Sequence, residues 1–88
     1  MEGKGINYYR SGNKYEGDFK SDLKEGKGIM YFNSGNIYEG EFKEDKFEGK
    51  GIIYYINGDR KIGDYHNDNP IRKHILFKKN GEIKIYNY

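Results

Sequence analysis

The sequence predicts an all-β protein, a single elongated antiparallel meander of tandem β-hairpins without a helix, and three observations predict it. Glycines recur every 23 residues, as Gly5/Gly28/Gly51, Gly17/Gly40/Gly63 and Gly12/Gly35/Gly58/Gly81. Aromatic residues keep the same period, as Phe19/Phe42/Tyr65/Tyr88 and Tyr8/Tyr31/Tyr54/Phe77. No stretch places apolar residues at the roughly 3.6-residue spacing of an amphipathic helix. A fixed period of this length marks a repeat array, in which each unit buries its apolar face against its neighbours.

Each unit reads as a hairpin. Gly28–Phe32 and Ile37–Phe42 are short runs rich in aromatic and β-branched residues, split by Asn33-Ser34-Gly35. The turn recurs as Arg10-Ser11-Gly12, Ile56-Asn57-Gly58 and Lys79-Asn80-Gly81. Glycine in third place fits a three-residue loop that ends in the left-handed region. That loop fixes the register, setting Phe32 against Asn36, Met30 against Tyr38 and Gly28 against Gly40. Pro70 is expected in a loop, where its missing N–H is harmless.

One face then carries Met30, Phe32, Tyr38 and Phe42. The preceding unit adds Tyr9, Tyr15 and Phe19 around Gly5/Gly17, and the following unit adds Ile53, Tyr55 and Tyr65 around Gly51/Gly63. The expectation is a furrow floored by the structural glycines Gly5, Gly17, Gly28, Gly40, Gly51 and Gly63 and walled by aromatic rings. The candidate partner-binding residues are Tyr9, Tyr15, Phe19, Met30, Phe32, Tyr38, Phe42, Tyr55 and Tyr65, because exposed aromatics concentrate binding energy. The opposite face carries Ile6/Tyr8, Ile29/Tyr31, Ile52/Tyr54 and Ile75/Phe77, with Glu16/Asp18 and Glu39/Glu41 beside them. A single sheet of this size does not bury both faces, so aromatic surface meets solvent or a partner.

Composition narrows the function. The 88 residues are 34% hydrophobic and 17% aromatic, with 10 Tyr, 5 Phe and no Cys or Trp. Such a chain builds a thin sheet held by aromatic cross-strand pairs in place of a thick aliphatic core. Without Cys it has neither disulfides nor thiolate chemistry, which fits an intracellular compartment. No apolar stretch reaches the roughly 20 residues of a membrane span, and the start of the sequence has no signal-peptide core. The net charge of +2 is too small to point to nucleic acid.

The string Tyr38-Glu-Gly-Glu-Phe-Lys-Glu-Asp-Lys-Phe-Glu-Gly-Lys-Gly51, preceded by Gly26-Lys-Gly28, resembles the MORN (membrane occupation and recognition nexus) repeat, as does Tyr15-Glu-Gly-Asp-Phe19. The resemblance covers residues 3–65 well and 66–88 weakly. It implies a hairpin array that scaffolds or tethers other components, often at cytoskeletal or membrane-associated structures. Some members join the repeats to kinase or methyltransferase domains, for which this sequence has no counterpart. The third copy departs from the pattern, with Lys61 in place of Tyr15 and Tyr38, and Arg72 and His74 in place of the glycine pair. Residues 1–65 are therefore read as the repeats, and 66–88 as a degenerate capping hairpin of the same domain, with His74 and Tyr86 filling the opposed-glycine slots. Met1 enters mid-repeat, so the chain reads either as a piece of a longer array or as a short protein.

Catalytic constellations are not expected. Gly3-Lys-Gly5 and its copies open no helix and match no phosphate-loop pattern. His66 and His74 are the two imidazoles, too few and too widely spaced for a metal site, and no cofactor is expected. Carboxylates such as Glu39/Glu41 and Glu44/Asp45 lie on an exposed strand and loop, where acid–base chemistry gains no pKa shift from burial. The reading is a non-catalytic protein–protein interaction module that takes a peptide or helix along the furrow, or associates with itself through a sheet edge. Two alternatives stand beside it. One is a peripheral membrane adaptor contacting acidic phospholipid through Arg72, Lys73, Lys78, Lys79 and Lys84; the other is a small stand-alone inhibitor.

Overall fold

In the computed structural model, which describes residues 2–88, eight strands form one open antiparallel sheet in plain sequence order. They are β1 (Gly3–Tyr8), β2 (Lys14–Lys20), β3 (Leu23–Tyr31), β4 (Ile37–Lys43), β5 (Lys46–Tyr54), β6 (Arg60–His66), β7 (Asn69–Phe77) and β8 (Ile83–Asn87). No helix occurs among the described residues.

The turn inside each hairpin has the expected form. The Phe32 N–H donates to the Asn36 carbonyl, and the Gly35 N–H to the Phe32 carbonyl, each at 2.9 Å. Gly12, Gly35, Gly58 and Gly81 close these turns with φ of 93, 100, 99 and 95°. The register follows, with Met30 opposite Tyr38, Gly28 opposite Gly40 and His74 opposite Tyr86. Between hairpins the chain reverses in two residues, Ser21-Asp22, Glu44-Asp45 and Asn67-Asp68, all in the left-handed region with φ between 48 and 70°. This mirror-image turn matches the twist of the strands it joins. The register then shifts between Gly17 and Phe19, and again between Gly40 and Phe42. The extra residues lie on β3 and β5, where Gly26 and Gly49 take φ of 87 and 75°. Asp18 accepts the Lys27 N–H at the first of these bulges, and Glu41 accepts the Lys50 N–H at the second.

Pairing between hairpins sets Gly17 opposite Gly28 and Gly40 opposite Gly51, while pairing within them sets Gly5 opposite Gly17 and Gly51 opposite Gly63. Six glycines therefore form one row across six strands. On the face of that row lies the core: Tyr15, Phe19, Met30, Tyr38, Phe42 and Tyr65 are buried, with Tyr9, Phe32, Phe47 and Ile53 packed against them. The sheet buries a single layer of side chains, mostly rings.

Both rims of the sheet are laced by short polar side chains. At the hairpin-turn rim, Asn13, Asn36 and Asp59 accept the N–H groups of Asn33, Ile56 and Lys79 at 2.8–2.9 Å. At the other rim, Asp45 accepts the Lys24 N–H and donates its own N–H to the Lys24 carbonyl; Asp68 does the same with Phe47. Pro70 corrects an expectation: it lies inside β7, opposite Tyr65. Its position repeats that of Lys24 and Phe47, whose N–H groups bond to a later turn's aspartate and not to the ladder. An imino nitrogen at this position therefore removes no ladder bond.

Candidate interaction surfaces

The glycine row is covered by the protein's own rings. A Cβ placed at Gly28 would overlap the Tyr15 ring, one at Gly51 the Tyr38 ring, and one at Gly63 the His74 ring. The rings lie flat on the bare backbone, and each reaches past it to one carbonyl. Tyr15 Oη donates to the Asp18 carbonyl at 2.9 Å, Tyr38 Oη to that of Glu41 at 3.0 Å, and His74 Nε2 to that of Asp64 at 2.7 Å. Aspartate 18, Glu41 and Asp64 are one repeat apart, so His74 performs from the neighbouring strand the task that tyrosine performs in the first two repeats. The sequence-derived furrow is thus filled from within. Tyr15 and Tyr38 are 0% exposed, and Phe19, Met30, Phe42 and Tyr65 are also buried.

These rings form a continuous spine. Tyr15 meets Phe19 and Phe42 edge-on with centroids 5.0 Å apart, and Phe42 meets Tyr38 at 5.2 Å. Tyr38 stacks on Phe47 at 3.8 Å, Phe47 meets Tyr65 at 5.5 Å, and Tyr65 leads through His74 to Tyr88. Edge-to-face pairs at these separations add about 0.5–1.5 kcal/mol each beyond area burial. Burial, and secondarily the Asp18 carboxylate, pushes the Tyr15 phenol up to about 12. Burial, then the charges of Tyr55 and Tyr88, raises Tyr65 to about 12 as well. Burial likewise raises Tyr38. These are the groups of a dry core, and they are poor proton donors to a substrate.

Lys24 is the residue at this face that sequence reasoning missed. It is buried where Phe47 stands one repeat later, with Nζ 5.4 Å from the Tyr9 ring centre, 5.8 Å from that of Tyr15 and 3.3 Å from Asp45 Oδ1. Its period with Phe47 was visible; the cation in an aromatic slot was not. Of the nine candidate residues, Tyr9, Phe32 and Tyr55 stay partly exposed, on the rim beside the hairpin turns. Tyr55 opens onto a hollow of 350 Å³ with Lys61, Leu76, Tyr86 and Tyr88. Lys61, in the place of Tyr15 and Tyr38, reaches over the rings of Tyr86 and Tyr88 and donates to Tyr88 Oη at 3.1 Å.

An open groove lies on the opposite face. It holds 460 Å³ over the backbone of Gly17, Gly28 and Gly40, beside Ile29, with Glu16, Glu39 and Glu41 on its walls and Lys27 and Lys50 among them. A smaller hollow of 250 Å³ continues the line past Gly63, between Ile62 and Ile75 and beside Lys73. The line runs between two rows of outward side chains, Glu16, Ile29 and Glu39 on one side and Lys27, Glu41 and Lys50 on the other. The spacing of Glu16/Glu39 and Lys27/Lys50/Lys73 in the sequence was the available signal.

The basic residues of the last hairpin do not share a patch. His74 faces the core, so the neighbouring Lys73 points to the other face, while Lys84, opposite Leu76, points to the core face. Arg72 Nη1 pairs with Asp64 at 3.5 Å. Lys78 and Lys79 belong to the turn before β8. His66 pairs with Glu48 on the rim at 2.9 Å. Among the described residues, no group of three or more His, Cys, Asp or Glu is gathered to hold a metal ion, and no helix is long and apolar enough to cross a membrane.

A single-layer sheet of tandem hairpins, with a ring spine on one face and a groove on the other, defines a β-hairpin repeat module. The MORN repeat family model matches residues 15–37 and 38–60, and the chain belongs to that family. The two matches meet without a gap and begin at Tyr15 and Tyr38, the two tyrosines whose rings lie on the glycine row. The family is one of protein and membrane interaction modules, generally non-catalytic. No curated protein matches the chain.

Proposed function

We propose that this chain is a non-catalytic interaction module that holds a segment of a partner protein across its outer face, along the glycine line. The observation that carries this reading is the 460 Å³ groove beside Ile29, walled by Glu16, Glu39 and Glu41. The core face is occupied by its own rings, so binding there would have to displace residues that hold the fold. The outer groove offers what a segment needs without such displacement: an apolar contact at its floor and carboxylates on its walls. Lys27 and Lys50 alternate with these carboxylates and favour a segment of mixed charge over a purely basic one. A side chain with an apolar stem and a cationic end fits best, seated on Ile29 with its charge toward Glu16 and Glu39.

Selection from a random peptide library tests the proposal. The expected peptides carry Lys or Arg next to an apolar residue, and they lose binding at least tenfold on Ile29→Glu or Glu39→Lys. Binding that survives both changes and disappears on Tyr55→Ala would move the site to the rim of the core face. A parallel assay with vesicles rich in acidic phospholipid addresses the membrane reading. Vesicle binding lost on Lys73→Glu, with no peptide selected, would replace the proposal.

A further inference from the structure

We infer that the two outer strands of this sheet complement one another, so that β8 of one copy joins β1 of a second copy head to tail. The inference comes from the distribution of exposed apolar side chains. On β1, Ile6 is 47% and Tyr8 74% exposed; on β8, Ile83 is 60% and Ile85 57% exposed. Scattered surface apolar residues need no account, but these four lie on the two outermost strands of the sheet among the described residues.

The register that would join them is one the chain already uses between its hairpins. Where β2 meets β3, Lys14 faces Tyr31, Tyr15 faces Met30, Glu16 faces Ile29 and Gly17 faces Gly28. Where β4 meets β5, the same places are taken by Ile37/Tyr54, Tyr38/Ile53, Glu39/Ile52 and Gly40/Gly51. Carried by the 23-residue period onto the outer strands, this pairing sets Ile83 against Tyr8, Lys84 against Asn7, Ile85 against Ile6 and Tyr86 against Gly5. All four exposed apolar residues then become direct cross-strand partners on one face. On the other face, Tyr86 meets a glycine with no side chain of its own, as His74 meets Gly63 within the chain. The four pairs bring no like charges together.

The two edges are different surfaces, so the contact is heterologous. Each added copy presents the same free edges again, and growth is open-ended unless the array curves into a ring. The joint lacks the covalent turn that tethers β2 to β3, and so it depends on protein concentration.

Analytical ultracentrifugation of the 88-residue chain over a concentration series tests the inference, using Ile6→Lys and Ile85→Lys. Both positions are exposed, so neither change removes core packing. The wild-type chain is expected to gain mass steadily with concentration. Each variant alone is expected to remain monomeric, because each has one blocked edge. A mixture of the two is expected to give a limiting one-to-one dimer, since one variant supplies an intact β8 and the other an intact β1. That dimer also shows both variants to be folded. A wild-type chain that stays monomeric throughout overturns the inference. So does either variant dimerising alone, which would mean like edges pairing, or a mixture that remains monomeric. None of these outcomes involves the outer groove, so the two proposals stand or fall separately.

Discussion

Arg72 is the residue whose backbone and side chain disagree most plainly. It occupies the bulge position that Gly26 and Gly49 fill in the earlier repeats, and it keeps their left-handed conformation at φ 61°. A non-glycine residue there costs about 1–2 kcal/mol. Its return is an exposed ion pair with Asp64 at 3.5 Å, a kind worth about 0–1 kcal/mol. Arg72→Gly is therefore expected to stabilise the protein by about 1 kcal/mol, read as a higher urea midpoint at unchanged slope. A lower midpoint would show the pair to outweigh the strain. The buried phenols make a second residue-scale prediction. Tyr15 and Tyr65 titrate at about 12 in the fold against an ordinary 10.0. Because the folded values are raised, their contribution is complete below about pH 10 and is lost as pH rises through 12. Alkaline unfolding is expected in that window, with a cooperative rise in tyrosinate absorbance. Tyr65→Phe, which keeps the ring and removes the ionisable group, should move the transition to higher pH; an unmoved midpoint would contradict the assignment.

At the scale of elements, the hairpins and their turns were legible in the sequence because both signals are local. A glycine three residues into a polar break fixes the loop, and the loop fixes the register from Met30/Tyr38 to His74/Tyr86. What lay on the glycine row was not legible. Register says that Tyr15 and Gly28 share a face, but whether a ring leans over the backbone or stands beside it depends on side-chain torsions and on what neighbours leave open. The outer groove was hidden for a related reason, since its depth depends on how the side chains on either side of it lean. The turns between hairpins were under-read, although Asp22, Asp45 and Asp68 recur at the repeat period. Asp68 serves twice there: it adopts φ 70°, and its Oδ1 accepts the Phe47 N–H at 2.8 Å. The two roles separate by substitution. Asp68→Asn keeps both and should cost under about 0.5 kcal/mol, because asparagine also tolerates this conformation. Asp68→Gly loses the acceptor alone, about 1 kcal/mol. Asp68→Ala loses the acceptor and adds left-handed strain, about 2 kcal/mol or more in all. Equal losses for Gly and Ala, measured by chemical denaturation, would remove the conformational half of this account.

For the whole molecule, the governing fact is that each strand packs against its sequence neighbours in a sheet one layer deep, so stability is carried joint by joint. The joint between β6 and β7 is the irregular one. In the regular joints a tyrosine on the earlier strand lies over the glycine of the later strand and bonds to a carbonyl on its own strand. Between β6 and β7 the direction is inverted: His74 on the later strand lies over Gly63 and bonds back to Asp64, while Lys61 stands in the tyrosine's place. One ring fits on the row at each joint, and the two solutions exclude each other. His74→Gly alone should therefore cost about 3 kcal/mol or more, by emptying a fully buried site and leaving the Asp64 carbonyl without its donor. Lys61→Tyr alone should also destabilise, by about 1–3 kcal/mol, because its ring enters space that His74 holds. Together the two changes recreate the arrangement of Tyr38, Gly40 and Gly51. The double variant should then recover at least about 2 kcal/mol relative to the sum of the single losses, a coupling within reach of a double-mutant cycle. Additive losses would mean that the β6–β7 joint is held by something other than the ring on its glycine, with Tyr88, whose ring lies 4.9 Å from that of His74, the next group to remove.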